Sequence, residues 1–336
     1  MNDHVRVAIV QHAPVFLNLE QSLRKAGDLV DEAAGQGAEL IVFPETWLPG
    51  YPVWLDASPG AALWDHPPAK VLYRLLAQNA VALPGPHLDA LLDMASSAEA
   101  YLVVGAHERR GGTLYNTLVI LDRDGQSYRL HRKLMPTYTE RLIWGRGDGS
   151  MMETLTTGYG NLGGLICWEH WMPLVRAAMH AKQEAIHVAQ WPWVRELHHI
   201  ASRHYAFEGQ CFVLAAGSVL TKGEVLEGYC SLNVESEALE MLEGIPGDRD
   251  TWIMRGGSAV IGPDAAYVAG PVYEEACILL ADVPLDRIAE GHLALDTDGH
   301  YARPDVFHLE VNVSPRTRVS FKSQQPPGRV LADSDD

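Results

Sequence analysis

Three side chains suited to covalent hydrolysis sit where strand patterns of this sequence end. Cys167 lies in Gly-Gly-Leu-Ile-Cys-Trp-Glu-His (163–170), at the change from a buried strand pattern to a polar, aromatic segment. A cysteine that ends a strand and opens a helix can aim its sulfur into a cleft, where helix-start N–H groups favour the thiolate. Free cysteine is also one of the most buried residue types, so its companions decide its role. Glu45 closes the apolar run Leu-Ile-Val-Phe-Pro-Glu (40–45), ahead of Trp47, Tyr51 and Trp54. Partial burial among aromatic residues raises a carboxyl pKa toward neutrality, which suits a group that takes up a proton and returns it. Lys133 follows the strand pattern Ser127 to His131 in His-Arg-Lys-Leu-Met-Pro-Thr-Tyr-Thr-Glu-Arg (131–141), with a second carboxylate at Glu140. Its compact ammonium can stabilise negative charge developing on a substrate heteroatom. Base, cation and nucleophile form a working set.

These residues need a scaffold that gathers strand ends. Val5 to Val10 reads as a buried strand, and apolar residues at Leu19, Leu23, Ala26, Val30 and Ala33 have helical spacing through Ala34. Asn18 is the expected N-cap, Gly35 and Gly37 the stop, and Glu39 to Phe43 the next strand. Strand, helix, strand opens an α/β fold. The pattern continues with helices at 69–79, 88–97, 173–182 and 197–209. Strands are expected at 101–106, 117–122, 127–131, 153–156, 162–167, 185–189, 211–216, 258–261 and 276–282. No composition break marks a linker, so residues 1–313 are expected to form one domain. Residues 314–336, with Pro326, Pro327, Gly328 and a terminal Asp-Ser-Asp-Asp, read as a mobile or partner-clasping tail.

Composition narrows the functional classes. The net charge of -17 argues against a nucleic-acid or anionic-membrane partner and suits a small substrate. Four widely spaced cysteines, Cys167, Cys211, Cys230 and Cys277, lack Cys-x-x-Cys spacing and indicate free thiols in a reducing compartment. The N-terminal apolar stretch is only strand length and follows Asp3, unlike a signal peptide. No apolar run approaches the roughly 20 residues of a membrane helix. A cytoplasmic protein is expected.

Two motifs point elsewhere and fail on context. Gly158-Tyr-Gly-Asn-Leu-Gly163 matches the dinucleotide fingerprint by letter, but its glycines lead into a strand instead of a helix, so a hairpin turn is expected. His198, His199 and His204 share a helical stretch without the i, i+4 pair of a zinc helix. There is no G-x-S-x-G serine elbow.

Phe-Pro-Glu-Thr-Trp (43–47), His-Arg-Lys-Leu-Met-Pro-Thr (131–137) and Gly-Leu-Ile-Cys-Trp-Glu-His (164–170) resemble, in order, the Glu, Lys and Cys motifs of the nitrilase superfamily, over Val5 to about Val313. Cys-Trp-Glu, Arg-Lys-Leu-x-Pro-Thr and Glu140-Arg141 are most similar to its nitrilase branch. The resemblance implies a four-layer αββα sandwich of two mixed sheets. It also implies a homodimer formed through helices near the nucleophile, with larger spiral assemblies left open. It implies Cys167 as nucleophile, Glu45 as base then acid, Lys133 as stabiliser of developing charge and Glu140 as a supporting carboxylate. The backbone N–H of Trp168 would join Lys133 in holding the substrate heteroatom. Tyr51, Trp168 and Trp191 are the expected pocket residues. The implied reaction is hydrolysis of an organic nitrile to acid and ammonia through a thioimidate and a thioester, without metal or cofactor. An amidase or carbamoylase using the same three residues is the alternative.

Overall fold

The computed structural model describes residues 4–316 and 319. The strands are β1 His4–Gln11, β2 Leu40–Val42, β3 Tyr101–Arg110, β4 Thr113–Leu121, β5 Tyr128–Arg132, β6 Leu155–Thr157, β7 Gly160–Ile166, β8 Glu184–Gln190, β9 Phe212–Ala216, β10 Val219–Thr221, β11 Trp252–Ile261, β12 Tyr267–Tyr273 and β13 Cys277–Pro284. One sheet runs β13-β1-β2-β3-β4-β5 and the other β10-β11-β9-β8-β7-β6, with β12 also paired to β11. Both sheets are mixed: β1, β2 and β3 are parallel neighbours, as are β7, β8 and β9, and antiparallel strands flank each set.

Period-two alternation builds the layers. On the first sheet Val7, Ile9, Val42, Val103 and Leu118 face the second sheet, where they meet Leu165, Ile186, Val188 and Leu214. Their neighbours Ala8, Val10, Ile41, Val104 and Val119 face outward, against helices Leu19–Gly35 and Pro86–Ala98. Helices Pro173–His180 and Glu196–Gly209 cover the other sheet with Val175, Met179, Ala201, Tyr205 and Ala206. The layers are therefore helix, sheet, sheet, helix, as the resemblance implies.

Asn18 caps the first long helix through its side chain, which accepts from the Gln21 N–H at 3.1 Å. Gly158 and Tyr159 form the two-residue turn of the β6–β7 hairpin, with Thr157 opposite Gly160, so the glycine-rich segment is a hairpin turn leading into a strand, as expected. The sequence reading missed β10, β12 and helices Trp54–Ala57, Lys222–Cys230, Ala238–Glu243 and Asp286–His292. No helix among the described residues is long and apolar enough to cross a membrane. Residues assigned to the C-terminal tail lie outside the described ones apart from 314–316 and 319, where the Arg316 N–H donates to Asp148 at 2.8 Å.

Candidate active site

Glu45, Lys133 and Cys167 converge at one rim of the sandwich. β5 is antiparallel to β4 and β4 to β3, so β5 points the same way as the parallel pair β2 and β3. Glu45, three residues past β2, and Lys133, the residue after β5, are thus delivered to the same edge of the first sheet. The Glu45 loop packs directly on Gly105 of β3. A Cβ there would lie 2.2 Å from the Pro44 carbonyl oxygen and 2.4 Å from the Thr46 nitrogen, so the approach requires glycine. The second sheet supplies Cys167 from the end of β7, where it opens the 3-10 helix Cys167–Trp171.

Cys167 has φ 56°, a left-handed conformation that costs a non-glycine residue about 1–2 kcal/mol. Two side chains hold the turn. Glu169 accepts from the Ile166 N–H at 2.8 Å, and His170 Nδ1 lies 2.7 Å from the Cys167 carbonyl oxygen. Glu169 also accepts from the Leu134 N–H at 2.7 Å and pairs with His131 at 2.9 Å, so one buried carboxylate ties the cysteine turn to the lysine loop. Burial opposes the charges of that pair, but each partner outweighs it, holding His131 above and Glu169 below its ordinary pKa.

At the centre, the Lys133 ammonium donates to Glu45 Oε1 at 2.8 Å and Glu140 Oε2 at 2.7 Å, and all three side chains are buried. Candidate ligand atoms of Glu45, Glu140 and Cys167 lie within 4.8 Å of one another. This cysteine and carboxylate set invites a cation, and the lysine supplies one. Asn116 of β4 donates to Glu45 Oε1 at 2.6 Å, leaving Glu45 Oε2 without a hydrogen-bond partner among the described residues. Glu140 is anchored further by the Thr137 N–H at 2.6 Å and the Tyr51 hydroxyl at 3.0 Å.

The protonation pattern follows from burial and neighbours. Burial pushes Glu45 up to about 7, reinforced by the charge of Glu140 and opposed by Lys133 and Asn116. Burial and then the Glu45 charge push the Cys167 thiol well up, while Lys133 and the Trp168 N–H favour the thiolate. Burial works against the Lys133 ammonium, but Cys167, Glu45 and Glu140 outweigh it and hold its pKa well above the ordinary value. The arrangement therefore places a neutral thiol beside a carboxylate able to take its proton near neutral pH, with a fixed cation between two acids.

A cavity of about 520 Å³ opens over Cys167. Tyr51 and Trp168 line it, together with Trp193, His198, Tyr138 and Met254. Trp191 does not. Its ring is fully buried behind the cavity, stacked between His198 at 4.2 Å and His170 at 4.9 Å, with its indole N–H on Ser202. Trp191 instead contributes its carbonyl oxygen, which receives the Glu45 N–H at 3.3 Å. Trp191 was expected at the pocket because it ends the strand after Cys167, but the Trp-Pro-Trp segment (191–193) brings the second tryptophan to the cavity. Asn116 was missed as well, although a single asparagine in the apolar strand Thr113–Leu121 marks a buried polar contact.

The sequence model of the family described as carbon-nitrogen hydrolase matches residues 6–292. The chain belongs to this family. An aliphatic nitrilase of Sinorhizobium fredii (strain HH103) is 40% identical over 319 residues, covering 94% of this chain and 97% of that protein. A bifunctional nitrilase/nitrile hydratase of Nicotiana tabacum is 38% identical over 320 residues, covering 95% of this chain and 89% of the relative. The crystal structure of Saccharomyces cerevisiae Nit3, a member of branch 10 of the nitrilase superfamily, superposes with a TM-score of 0.66 at 18% identity, covering 90% of this chain and 97% of that one. At that identity the superposition speaks for the fold. The fold brings the Glu, Lys and Cys motifs of this carbon-nitrogen hydrolase together, with Cys167 and Glu140 lining the cavity.

Proposed function

We propose that the chain is a nitrilase that converts a small organic nitrile and two waters to a carboxylic acid and ammonia through covalent attachment to Cys167. The reading rests on the convergence of a buried thiol that lines the cavity with a carboxylate that has one oxygen unpartnered among the described residues and a shared ammonium, both buried beside it. The nitrilase names of relatives at about 40% identity support nitriles as the substrate class.

Attack begins as the Cys167 sulfur forms a bond to the nitrile carbon and its proton passes to Glu45. Glu45 then protonates the nitrile nitrogen, giving a thioimidate. A lysine ammonium has three N–H donors, and two are committed to Glu45 and Glu140, so the third can be directed at that nitrogen. Water, deprotonated by Glu45, adds to the thioimidate. The tetrahedral species expels ammonia to leave a thioester, and a second water releases the acid and restores the thiol. Expulsion of the thiol in place of ammonia yields the amide. Tyr51 and Thr137 keep Glu140 in place against Lys133, and the Trp168 N–H joins Lys133 in steadying the charged heteroatom.

The assembly proposed for this enzyme is a homodimer through helices Pro173–His180 and Glu196–Gly209. Leu174, Leu197, Ile200 and Phe207 on these helices expose apolar side chains, which supports that face. Four free cysteines support a reducing, cytoplasmic setting. A panel of nitriles and the matching amides, with ammonia, acid and amide quantified, tests the activity. Acid and ammonia from nitriles, lost in Cys167→Ala, are expected. Turnover of amides alone would overturn the reading in favour of an amidase.

A further inference from the structure

Behind Cys167 a chain of buried polar groups runs away from the cavity toward the far end of the second sheet. His170 Nδ1 is 2.7 Å from the Cys167 carbonyl oxygen, and His170 Nε2 is 3.0 Å from His187 Nε2. His187 Nδ1 is 2.9 Å from Glu184 Oε1, and the Tyr205 hydroxyl donates to Glu184 Oε2 at 2.5 Å. Glu184 and His187 begin and continue β8, His170 belongs to the 3-10 helix of the nucleophile, and Tyr205 lies on helix Glu196–Gly209. All four side chains are buried, and the rings pack on one another, His187 on Tyr205 at 3.8 Å.

Donor and acceptor identities leave little freedom. A carbonyl oxygen only accepts, so His170 places a proton on Nδ1. If both imidazoles are neutral, His170 Nε2 is a bare acceptor, His187 must donate from Nε2, and His187 Nδ1 is an acceptor in turn. Glu184 Oε1 must then be the donor, which requires the carboxylic acid. Remove that proton and one contact in the row becomes acceptor against acceptor, whichever tautomer His187 takes. The row therefore needs one proton beyond those of two neutral imidazoles.

We propose that Glu184, His187 and His170 form a one-proton positioning relay, in which Glu184 is held as the neutral carboxylic acid and fixes, through two imidazole tautomers, the hydrogen bond on the Cys167 carbonyl. These are positioning residues that act through the backbone of the nucleophile, whose left-handed conformation this bond helps to hold. Burial selects the neutral placement over zwitterionic ones. It pushes Glu184 up to about 8, against Tyr205 and His180, and with His187 lowers His170 to about 3, while burial holds His187 itself well below its ordinary value. The other titratable and charged groups around the relay are His180 and Glu208, which bond each other at 3.2 Å on the covering helices, Arg176, which donates to the His170 carbonyl oxygen at 3.1 Å and to Glu208 at 2.6 Å, Cys211 ahead of β9, and His198, Glu169 and His131 nearer the cavity.

Loss of the proton from Glu184 at alkaline pH slackens the Cys167 turn, so activity should show an alkaline limb that belongs to Glu184. Glutamine supplies the same two contacts without a titrating proton, donating to His187 and accepting from Tyr205. The experiment compares kcat/KM against pH for the parent and Glu184→Gln, and it rests on the nitrilase reading for its substrate. The parent should lose roughly tenfold per pH unit above about 8. Glu184→Gln should keep the parent rate at neutral pH and have its limb displaced upward by at least about one unit. An unchanged limb, or a folded but inactive glutamine variant, overturns the relay. Nitrogen-15 spectra of the imidazoles in the parent test it without a variant. Neutral His170 protonated on Nδ1 and neutral His187 protonated on Nε2 are expected at neutral pH, and a cationic ring or the opposite tautomer contradicts the proposal. Failure of the nitrilase reading would show separately, as absent nitrile turnover by the parent at neutral pH.

Discussion

Burial, Glu140, Lys133 and Asn116 together set the protonation of Glu45 near neutrality. The basic form predominates above a pKa of about 7, so kcat/KM for nitrile turnover should rise with pH and level off around that value, well above the range of an ordinary glutamate. Asn116 donates to the carboxylate and so favours its charged form. In Asn116→Leu that support is gone, and the acidic limb should move up by about one pH unit, with activity below neutrality falling about tenfold. An unmoved limb would remove Glu45 from the role of base. At this scale the sequence was legible where a charged or nucleophilic residue stands at a strand end, as at Glu45, Lys133 and Cys167. It was not legible where direction decides. Trp191 and Trp193 are equally aromatic and two residues apart, and only the path of the turn after β8 separates a buried ring from a cavity wall.

Strands position the site more tightly than the loops that carry it. Glu45 owes its place to the backbone contact at Gly105, where an added methyl group would strike the Pro44 carbonyl and Thr46 nitrogen, both backbone atoms unable to swing aside. Gly105→Ala should therefore lower the melting temperature by several degrees and cost at least about tenfold in kcat, whereas an unstrained glycine-to-alanine change is stabilising by about 0.4–1 kcal/mol. Thermal unfolding and steady-state kinetics on the same preparation check both effects. Alternating apolar residues made β1, β3, β4 and their covering helices readable in advance. β12 was unreadable because most of its side chains are exposed and it contains Gly270-Pro271, so it lacks a buried period. Helix Lys222–Cys230 did leave a signal: Thr221 and Glu224 form a capping box, with the Thr221 N–H on Glu224 at 2.8 Å and the Glu224 N–H on Thr221 at 3.2 Å.

For the whole molecule, the two sheets bury a continuous core, while the covering helices present Leu174, Leu197, Ile200 and Phe207 to solvent. Light scattering after size exclusion should give at least a dimer for the parent, and Leu197→Asp with Phe207→Asp should shift it toward monomer; a monomeric parent would remove the proposed interface. The layered architecture was legible because helix and strand periods alternate along the chain, but the pocket depends on segments far apart in sequence, from Tyr51 to Met254, whose meeting no local pattern encodes. In the proposed reaction the nitrile becomes covalently attached to Cys167. Rapid acid quench during turnover, followed by mass spectrometry of the cysteine peptides, tests it most directly. A thioester-linked acyl group of the substrate is expected on the Cys167 peptide and none on those of Cys211, Cys230 or Cys277. Nitrile turnover by Cys167→Ala at the parent rate, or an adduct confined to another cysteine, would contradict it.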